Sequence, residues 1–255
     1  MTNAKKLLRI VFFSLLFLVV VGYLLYYFFA LSESDTDNRC VAVELIISND
    51  EDEPFISQQD LDQMLIAADQ NPKGRRVSDV DTKKIESVVS TNPFVREVSC
   101  YKTPTDKVVV NVTQRVPVIY VVPEGGTGYF LDDTATRIPN KRYVRNIIVA
   151  SGDIDETYAK KELLRFAMFL QTDEFWDSQI EQVYVKRDRK NKRVVELVPR
   201  VGDQVIYLGA MEGFEDKLSR MRTFYDRAMG VVGWNKYDRI NLEYDNQIIC
   251  RKSKK

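Results

Sequence analysis

Two adjacent carboxylates, Asp132 and Asp133, are the residues of this sequence whose spacing best suits acid–base or metal chemistry. Such chemistry needs paired carboxylates together with a nucleophile or a further ligand. No nucleophile and no third ligand accompanies this pair in the sequence. We therefore interpret Asp132-Asp133 as a solvated turn that follows a strand.

Two other short motifs could also suggest chemistry. Glu124–Gly128 (EGGTG) has the glycines of a phosphate-binding loop but lacks the downstream Lys-Ser/Thr that reaches phosphate and magnesium, so we interpret it as a hairpin turn. Asn111-Val-Thr113 matches a glycosylation sequon, but it lies inside a predicted strand. Neither motif predicts a cofactor or a modification.

The chain has no histidine, which excludes Ser-His and Cys-His nucleophile pairs, histidine bases and histidine metal ligands. Its three cysteines, Cys40, Cys100 and Cys250, are far apart and form no C-x-x-C, so neither a disulfide framework nor a zinc site is predicted. Cys100 is expected to be a small buried hydrophobe, whereas a Cys40–Cys250 bridge stays open as an alternative. We expect no enzyme activity, no cofactor and no metal.

Composition places the chain among ordinary globular proteins. It has 255 residues, 45% of them hydrophobic, and equal numbers of basic and acidic residues. A net charge of zero gives no large field for nucleic acid. The basic clusters Arg187–Arg193 and Arg251–Lys255 could contact anionic lipid or peptidoglycan, but a solvated turn and a solvated tail are the favoured interpretation.

The segment Ile10–Leu31 contains no charged residue and, at about 1.5 Å per helical residue, would cross a ~30 Å hydrocarbon core. A cleaved signal peptide is the alternative, but its apolar region would be shorter and would end in small residues. Basic residues precede the run and acidic residues follow it. The positive-inside rule therefore predicts a cytoplasmic tail over residues 1–9, a transmembrane helix over 10–31, a linker over 32–40 and an exported remainder.

Two exported domains follow from the hydrophobic pattern. Residues 41–115 read as strand, helix, helix, strand, strand, which suits two helices on one face of a small sheet. Residues 116–251 are rich in strands with flanking helices, one over Thr157–Leu170 and one over Phe214–Met229, and residues 252–255 form a basic tail. The last two strands are predicted over Ile240–Tyr244 and Gln247–Arg251, around the turn Asp245-Asn246. The predicted fold class is α+β.

The order of these elements resembles that of known proteins. The first domain, with Asn92–Val95 (NPFV) entering its hairpin and Arg115-Val116-Pro117 leaving it, resembles a POTRA domain. Its position directly after one apolar segment, and the strand Gly128–Asp132 (GYFLD) beyond it, are similar to the bacterial FtsQ/DivIB cell-division family. The sequence departs from the family at Gln114, where an acid is frequent, and at Ala135, where glycine is usual.

The resemblance implies a non-catalytic bitopic scaffold of the inner membrane that recruits small single-pass coiled-coil proteins of the FtsB/FtsL type at the division septum. It also implies that the closing hairpin binds them. An unpaired sheet edge offers backbone groups to an added strand, and the last strand, apolar on both faces, is the candidate; an internal strand is the alternative. The predicted partner-binding residues are Tyr244, Asn246, Gln247, Ile248, Ile249, Cys250, Arg251 and Lys252.

Two other classes of function remain open at this stage. A POTRA-bearing module of protein translocation or outer-membrane assembly is the main alternative, although such proteins usually continue into a long β-barrel. A membrane-tethered enzyme is the other, and the absence of histidine counts against it. No nucleic acid and no small-molecule substrate is expected.

Overall fold

The computed structural model describes residues 2–32, 38–48, 55–140 and 147–254, and in the first helix it describes the side chains of residues 12–27 only. These residues divide into two compact units. The first unit comprises Met1–Ile46, Gln58–Val88 and Ser99–Val110, and the second comprises Ile47–Ser57, Val89–Val98 and Asn111–Lys255.

Helix α1 covers Thr2–Ser32. Within the described residues, no helix combines the length and the apolar character that a membrane crossing requires. The predicted span over 10–31 is only partly tested by this, because residues 10–11 and 28–31 lie outside the described side chains. The whole of the predicted tail, much of the linker and Lys255 also lie outside them.

A three-stranded sheet with two helices follows α1. Its elements are β1 (Ala42–Ile47), α2 (Gln58–Ala67), α3 (Thr82–Val89), β2 (Val95–Lys102) and β3 (Lys107–Gln114), and the strand order is β1-β3-β2. The apolar side chains of Leu61, Leu65, Ile85 and Val89 on the two helices are buried. Val98 of β2 is only half-buried, whereas Val95 on the same strand is buried.

The second unit contains one end of this small sheet as well as the whole large sheet. There the rings of Phe55 and Phe94 stack with their centroids 5.1 Å apart. The buried amide oxygen of Gln114 accepts hydrogen bonds from the backbone N–H of Phe55 (2.6 Å) and Ile56 (3.2 Å). A glutamine oxygen thus makes these contacts at the position where the resemblance implies an acid.

The large sheet has nine strands in the order β12-β11-β10-β9-β8-β7-β4-β5-β6. These strands are β4 (Pro117–Pro123), β5 (Tyr129–Asp132), β6 (Arg137–Pro139), β7 (Ile148–Gly152), β8 (Ile180–Arg187), β9 (Arg193–Pro199), β10 (Val205–Gly209), β11 (Tyr237–Asn241) and β12 (Ile249–Lys252). Three neighbouring pairs, β4 with β7, β7 with β8 and β10 with β11, are parallel, and the others are antiparallel.

Helical segments cover one face of this sheet. They are α4 (Glu156–Tyr158), a π-helical segment (Ala159–Leu163), α5 (Leu164–Gln171), α6 (Glu174–Gln179), α7 (Phe214–Phe224), a second π-helical segment (Tyr225–Met229) and α8 (Gly230–Val232). Alternate strand residues such as Val183 and Ile206 share one hydrophobic core with Phe166 and Leu218 of the helices. Since side chains alternate along a strand, the intervening residues lie on the opposite, open face.

The closing hairpin differs from the sequence prediction. Its strands are Tyr237–Asn241 and Ile249–Lys252, and residues 242–248 connect them in place of a two-residue turn. The side chain of Leu242, directly after the first strand, is buried in the core, and the backbone N–H of Glu243 donates to the side-chain oxygen of Asn241 (2.9 Å). Asn246 has φ +60°, so the backbone is not extended at this point of the connection.

Candidate partner-binding edge

Strand β12 is the terminal strand of the nine-stranded sheet. Among the residues that the structure describes, it pairs with β11 alone, in antiparallel register, with Asn241 opposite Ile249 and Ile240 opposite Cys250. The edge strand at the other end of the sheet, β6, has three residues and contains Pro139. A short edge strand that contains proline is a poor template for an added strand, so β12 is the better candidate.

Two hydrogen bonds fix the direction of the backbone groups of β12. The N–H of Leu242 donates to the carbonyl of Tyr207 in β10 (2.9 Å), so even-numbered residues of β11 face β10 and odd-numbered ones face β12. The N–H of Ser253 donates to the carbonyl of Lys236 (2.9 Å), so odd-numbered residues of β12 face β11. The backbone groups of Cys250 therefore point outward, and within the described chain they have no partner.

The side chains of β12 follow the same alternation. Ile249 is 47% exposed and stands in a cross-strand row with Asn241, Tyr207, Glu196 and Tyr184 on the open face. Cys250 and Ile248, in contrast, are partly buried and pack against the core below the sheet. An added strand would thus meet an exposed isoleucine on one face and the margin of the core on the other.

The remaining predicted site residues do not form one strand. Tyr244, Asn246 and Gln247 are exposed in the connection, Tyr244 at 48%, and they lie beside the strand rather than in it. Arg251 and Lys252 belong to β12 and are exposed. Arg251 forms an ion pair with Asp238 (2.7 Å) on the neighbouring strand.

Arg220 of α7 supports this region, and sequence reasoning missed it. Its Nη2 donates to the carbonyl of Leu242 (3.0 Å) and to the carbonyl of Tyr244 (3.3 Å). The helix thereby holds the first half of the connection against the end of β11. No local sequence signal identifies this contact, because the two segments are more than twenty residues apart.

A second feature missed from sequence lies on the open face. The Glu196 side chain is 11% exposed. Its carboxylate forms ion pairs with Lys186 (2.7 Å) and Arg239 (2.8 Å) and accepts a hydrogen bond from each. Burial alone would raise the pKa of Glu196, but these two cations outweigh it and lower the pKa below its ordinary value. The guanidinium of Arg239 also lies over the ring of Tyr207, 4.6 Å from its centroid. Polar residues that alternate with apolar ones along β8, Gln182, Tyr184 and Lys186, together with the single acid Glu196 within the apolar strand β9, are the signal that could have predicted this.

The structure contradicts the interpretation of Asp132-Asp133 as a solvated turn. Asp132 is not solvated: its side chain is fully buried, and Oδ2 accepts from Arg115 Nη1 (2.7 Å). Its Oδ1 accepts from the Thr134 N–H (3.0 Å), the Thr134 hydroxyl (2.7 Å) and the Thr136 N–H (2.8 Å). Asp133 is exposed and pairs with Arg96 (2.9 Å). The pair is structural, and it locks the β5–β6 turn to the chain that leaves β3.

The other candidate sites have plain structural explanations. Glu124–Gly128 lies in the turn between β4 and β5, as expected, and Gly126 N–H donates to the Pro123 carbonyl (3.1 Å). Cys40, Cys100 and Cys250 are free, so the Cys40–Cys250 bridge is wrong. Among the described side chains, no group of three histidine, cysteine or acidic residues could hold a metal ion.

Comparisons with known proteins agree with this architecture. Residues 38–113 match a POTRA-like domain, and residues 116–251 match the family described as FtsQ/DivIB, C-terminal related. A search of curated proteins gives no match. The second family match covers more than half of the chain, and it contains the nine-stranded sheet up to Arg251 of its terminal strand. The chain therefore belongs to the FtsQ/DivIB-related family of cell-division proteins.

Proposed function

We propose that this protein is a bitopic scaffold of the bacterial division machinery that recruits partners by strand addition at β12. The family is one of non-catalytic, division-related scaffolds. The observation that carries the proposal is the outward backbone of Cys250, which has no partner within the described residues. Main-chain hydrogen bonds to such an edge give affinity, and the flanking side chains give specificity.

Membrane attachment is the second part of the proposal. The described side chains of α1, from Phe12 to Tyr27, are apolar or aromatic apart from Ser14 and Gly22. Nearly all of them are exposed, and Phe17 and Leu18 are each 67% exposed. Exposed apolar groups on all sides of a helix suit a lipid environment. We propose a single span over residues 10–31, with residues 1–9 in the cytoplasm and the rest in the periplasm at the septum.

The domain division is also proposed. A POTRA domain over 41–115 and a β domain over 116–251 would meet at Arg115-Val116-Pro117. The two family matches, 38–113 and 116–251, support this junction. The implied partners are single-pass coiled-coil division proteins of the FtsB/FtsL type, which would supply the added strand.

Proline substitution at Cys250 tests the edge directly. Proline removes the outward N–H while leaving the β11 pairing intact, so binding should fall by at least tenfold, the equivalent of one or two hydrogen bonds at about 1 kcal/mol each. Cys250→Ala keeps the N–H and should bind normally. The binding is measured by titrating the purified full-length chain with its FtsB/FtsL-type partner.

Ile249→Pro provides the matched comparison. The Ile249 N–H faces β11, so proline there removes a bond inside the sheet and should lower the melting temperature, whereas Cys250→Pro should leave it nearly unchanged. Normal binding by a folded Cys250→Pro variant would exclude strand addition at β12. A reporter fused after Lys255 that is active only in the cytoplasm would exclude the proposed topology.

A further inference from the structure

We infer that two helix side chains, Gln58 and Glu86, close the edges of the three-stranded sheet and so restrict strand addition to β12. The inference rests on the proposed function only in treating β12 as the receptive edge. The three-stranded sheet has the order β1-β3-β2, so both β1 and β2 are edge strands. Without protection, each would offer backbone groups to a passing strand.

Gln58 occupies the edge of β1. Its Nε2 donates to the carbonyl of Val43 (3.3 Å), and its Oε1 accepts from the N–H of Leu45 (2.9 Å). One side-chain amide therefore makes the two hydrogen bonds that the N–H and C=O of one residue in an added strand would make at this place. Gln58 also donates to Asp62 (3.1 Å) one turn later, which fixes the amide at the start of α2.

Glu86 does the same at β2. Its Oε1 accepts from the N–H of Cys100 (2.7 Å). In the hairpin, the N–H of Thr103 donates to the carbonyl of Lys107, so odd-numbered residues of β2 face β3 and even-numbered residues face outward. The N–H of Cys100 is thus an outer-edge donor, and a carboxylate makes a strong hydrogen bond to it.

The two edges of the small sheet differ from β12 in this respect. On both edges of the small sheet, a helix side chain bonds a backbone group within the strand, where an added strand would need a continuous ladder. At Cys250 of β12, no described side chain does so. Gln58 and Glu86 are therefore specificity residues: they act by excluding a partner, in the same molecule that accepts one elsewhere.

The test uses a peptide that suits both edges of the small sheet. Residues 107–114 (KVVVNVTQ) form β3, the strand that pairs with β1 on one side and β2 on the other. A fluorescent peptide of this sequence is titrated into the full-length chain and into Gln58→Ala, Glu86→Ala and the double variant. All proteins carry Cys250→Pro, so that β12 does not contribute to binding.

The double variant should bind the peptide at least tenfold more tightly than its parent, with each single variant between them. Amide exchange at Leu45 and Cys100 should be faster in the free double variant and slower again when the peptide is bound. Gln63→Ala, on the same helix, and Glu97→Ala, on β2, are matched controls that should bind like the parent because both side chains are exposed. Glu86→Gln keeps the acceptor oxygen and should keep the edge closed.

Equal peptide binding by the parent and the double variant, with unchanged exchange at Leu45 and Cys100, would overturn the inference. A double variant that unfolds would be replaced by Gln58→Leu with Glu86→Leu, which fill the same space without a hydrogen bond, and the same criteria apply. Failure of the Cys250→Pro experiment with the partner would refute strand addition at β12 but would leave this result standing. The two hypotheses therefore fail separately.

Discussion

Asp132 and Asp133 are neighbours, each pairs with an arginine, and they should differ several-fold in their contribution to stability. Asp132→Asn keeps the three hydrogen bonds to Oδ1 but turns an amide toward Arg115. It loses a charge-assisted bond of about 1.5–3 kcal/mol. It also leaves the Arg115 guanidinium, 20% exposed, without its counter-charge. Together these two losses should lower the unfolding free energy by about 3 kcal/mol. Asp133→Asn should cost less than about 0.5 kcal/mol, because Arg96 and Asp133 are 36% and 46% exposed.

Denaturant unfolding followed by tryptophan fluorescence measures both costs, since Trp176 and Trp234 lie in the same compact unit as the two aspartates. A double-mutant cycle of Asp132→Asn with Arg115→Met should give a coupling of about 2 kcal/mol. Equal costs for the two asparagine variants, or a coupling near zero, would refute the reasoning.

The same carboxylate should make the protein sensitive to acid. Burial raises the pKa of Asp132, but the hydrogen bonds from Thr134, Arg115 and Thr136 outweigh it and hold the pKa below the ordinary value of 3.8. A carboxyl whose pKa is lower in the folded state stabilises the fold above the unfolded pKa and loses that effect as pH falls through the folded one. Unfolding free energy should therefore fall below about pH 4 in the parent, and less steeply in Asp132→Asn.

Four further substitutions follow from the fold. Leu65→Ala and Ile85→Ala each remove a fully buried side chain and should cost about 2–5 kcal/mol by circular dichroism melts; a change below about 1 kcal/mol at both would contradict their core position. Ala135→Gly should stabilise by about 0.5 kcal/mol in denaturant titrations, because Ala135 has φ +60°, and a clear loss would contradict this. Gly152→Ala should destabilise by at least about 2 kcal/mol, because its Cβ would collide with the carbonyl of Val185; tolerance in a thermal melt would disprove the contact.

Sequence patterns predicted most elements, because strand alternation and helix periodicity depend on local residue types. The hairpin Val95–Lys102 with Lys107–Gln114, the strand at Tyr129 and the helix from Phe214 all lie close to their expected positions. The errors arise where distant contacts decide the structure. Asp132 looks like a turn residue until Arg115 is brought beside it.

The candidate site shows the same division. The sequence predicted a closing hairpin, and its second strand lies at the sheet edge. It could not predict the seven-residue connection, because that depends on Leu242 joining the core and on Arg220 of α7 holding the chain. The direction of the Cys250 backbone likewise depends on register against β11, which no local pattern encodes.

The strand order of the large sheet also sets a sequence of events during synthesis. From β8 to β12, each strand pairs with the one made immediately before it, so this part of the growing sheet extends at a single front. Every earlier strand is exposed at that front only until the next one emerges, because chains are made from the amino terminus at about 5–20 residues per second. The β12 edge forms only when β12, the last strand of the sheet to be made, has paired with β11. A partner that requires β12 would therefore select molecules whose sheet is already assembled, and recruitment would double as a check on folding.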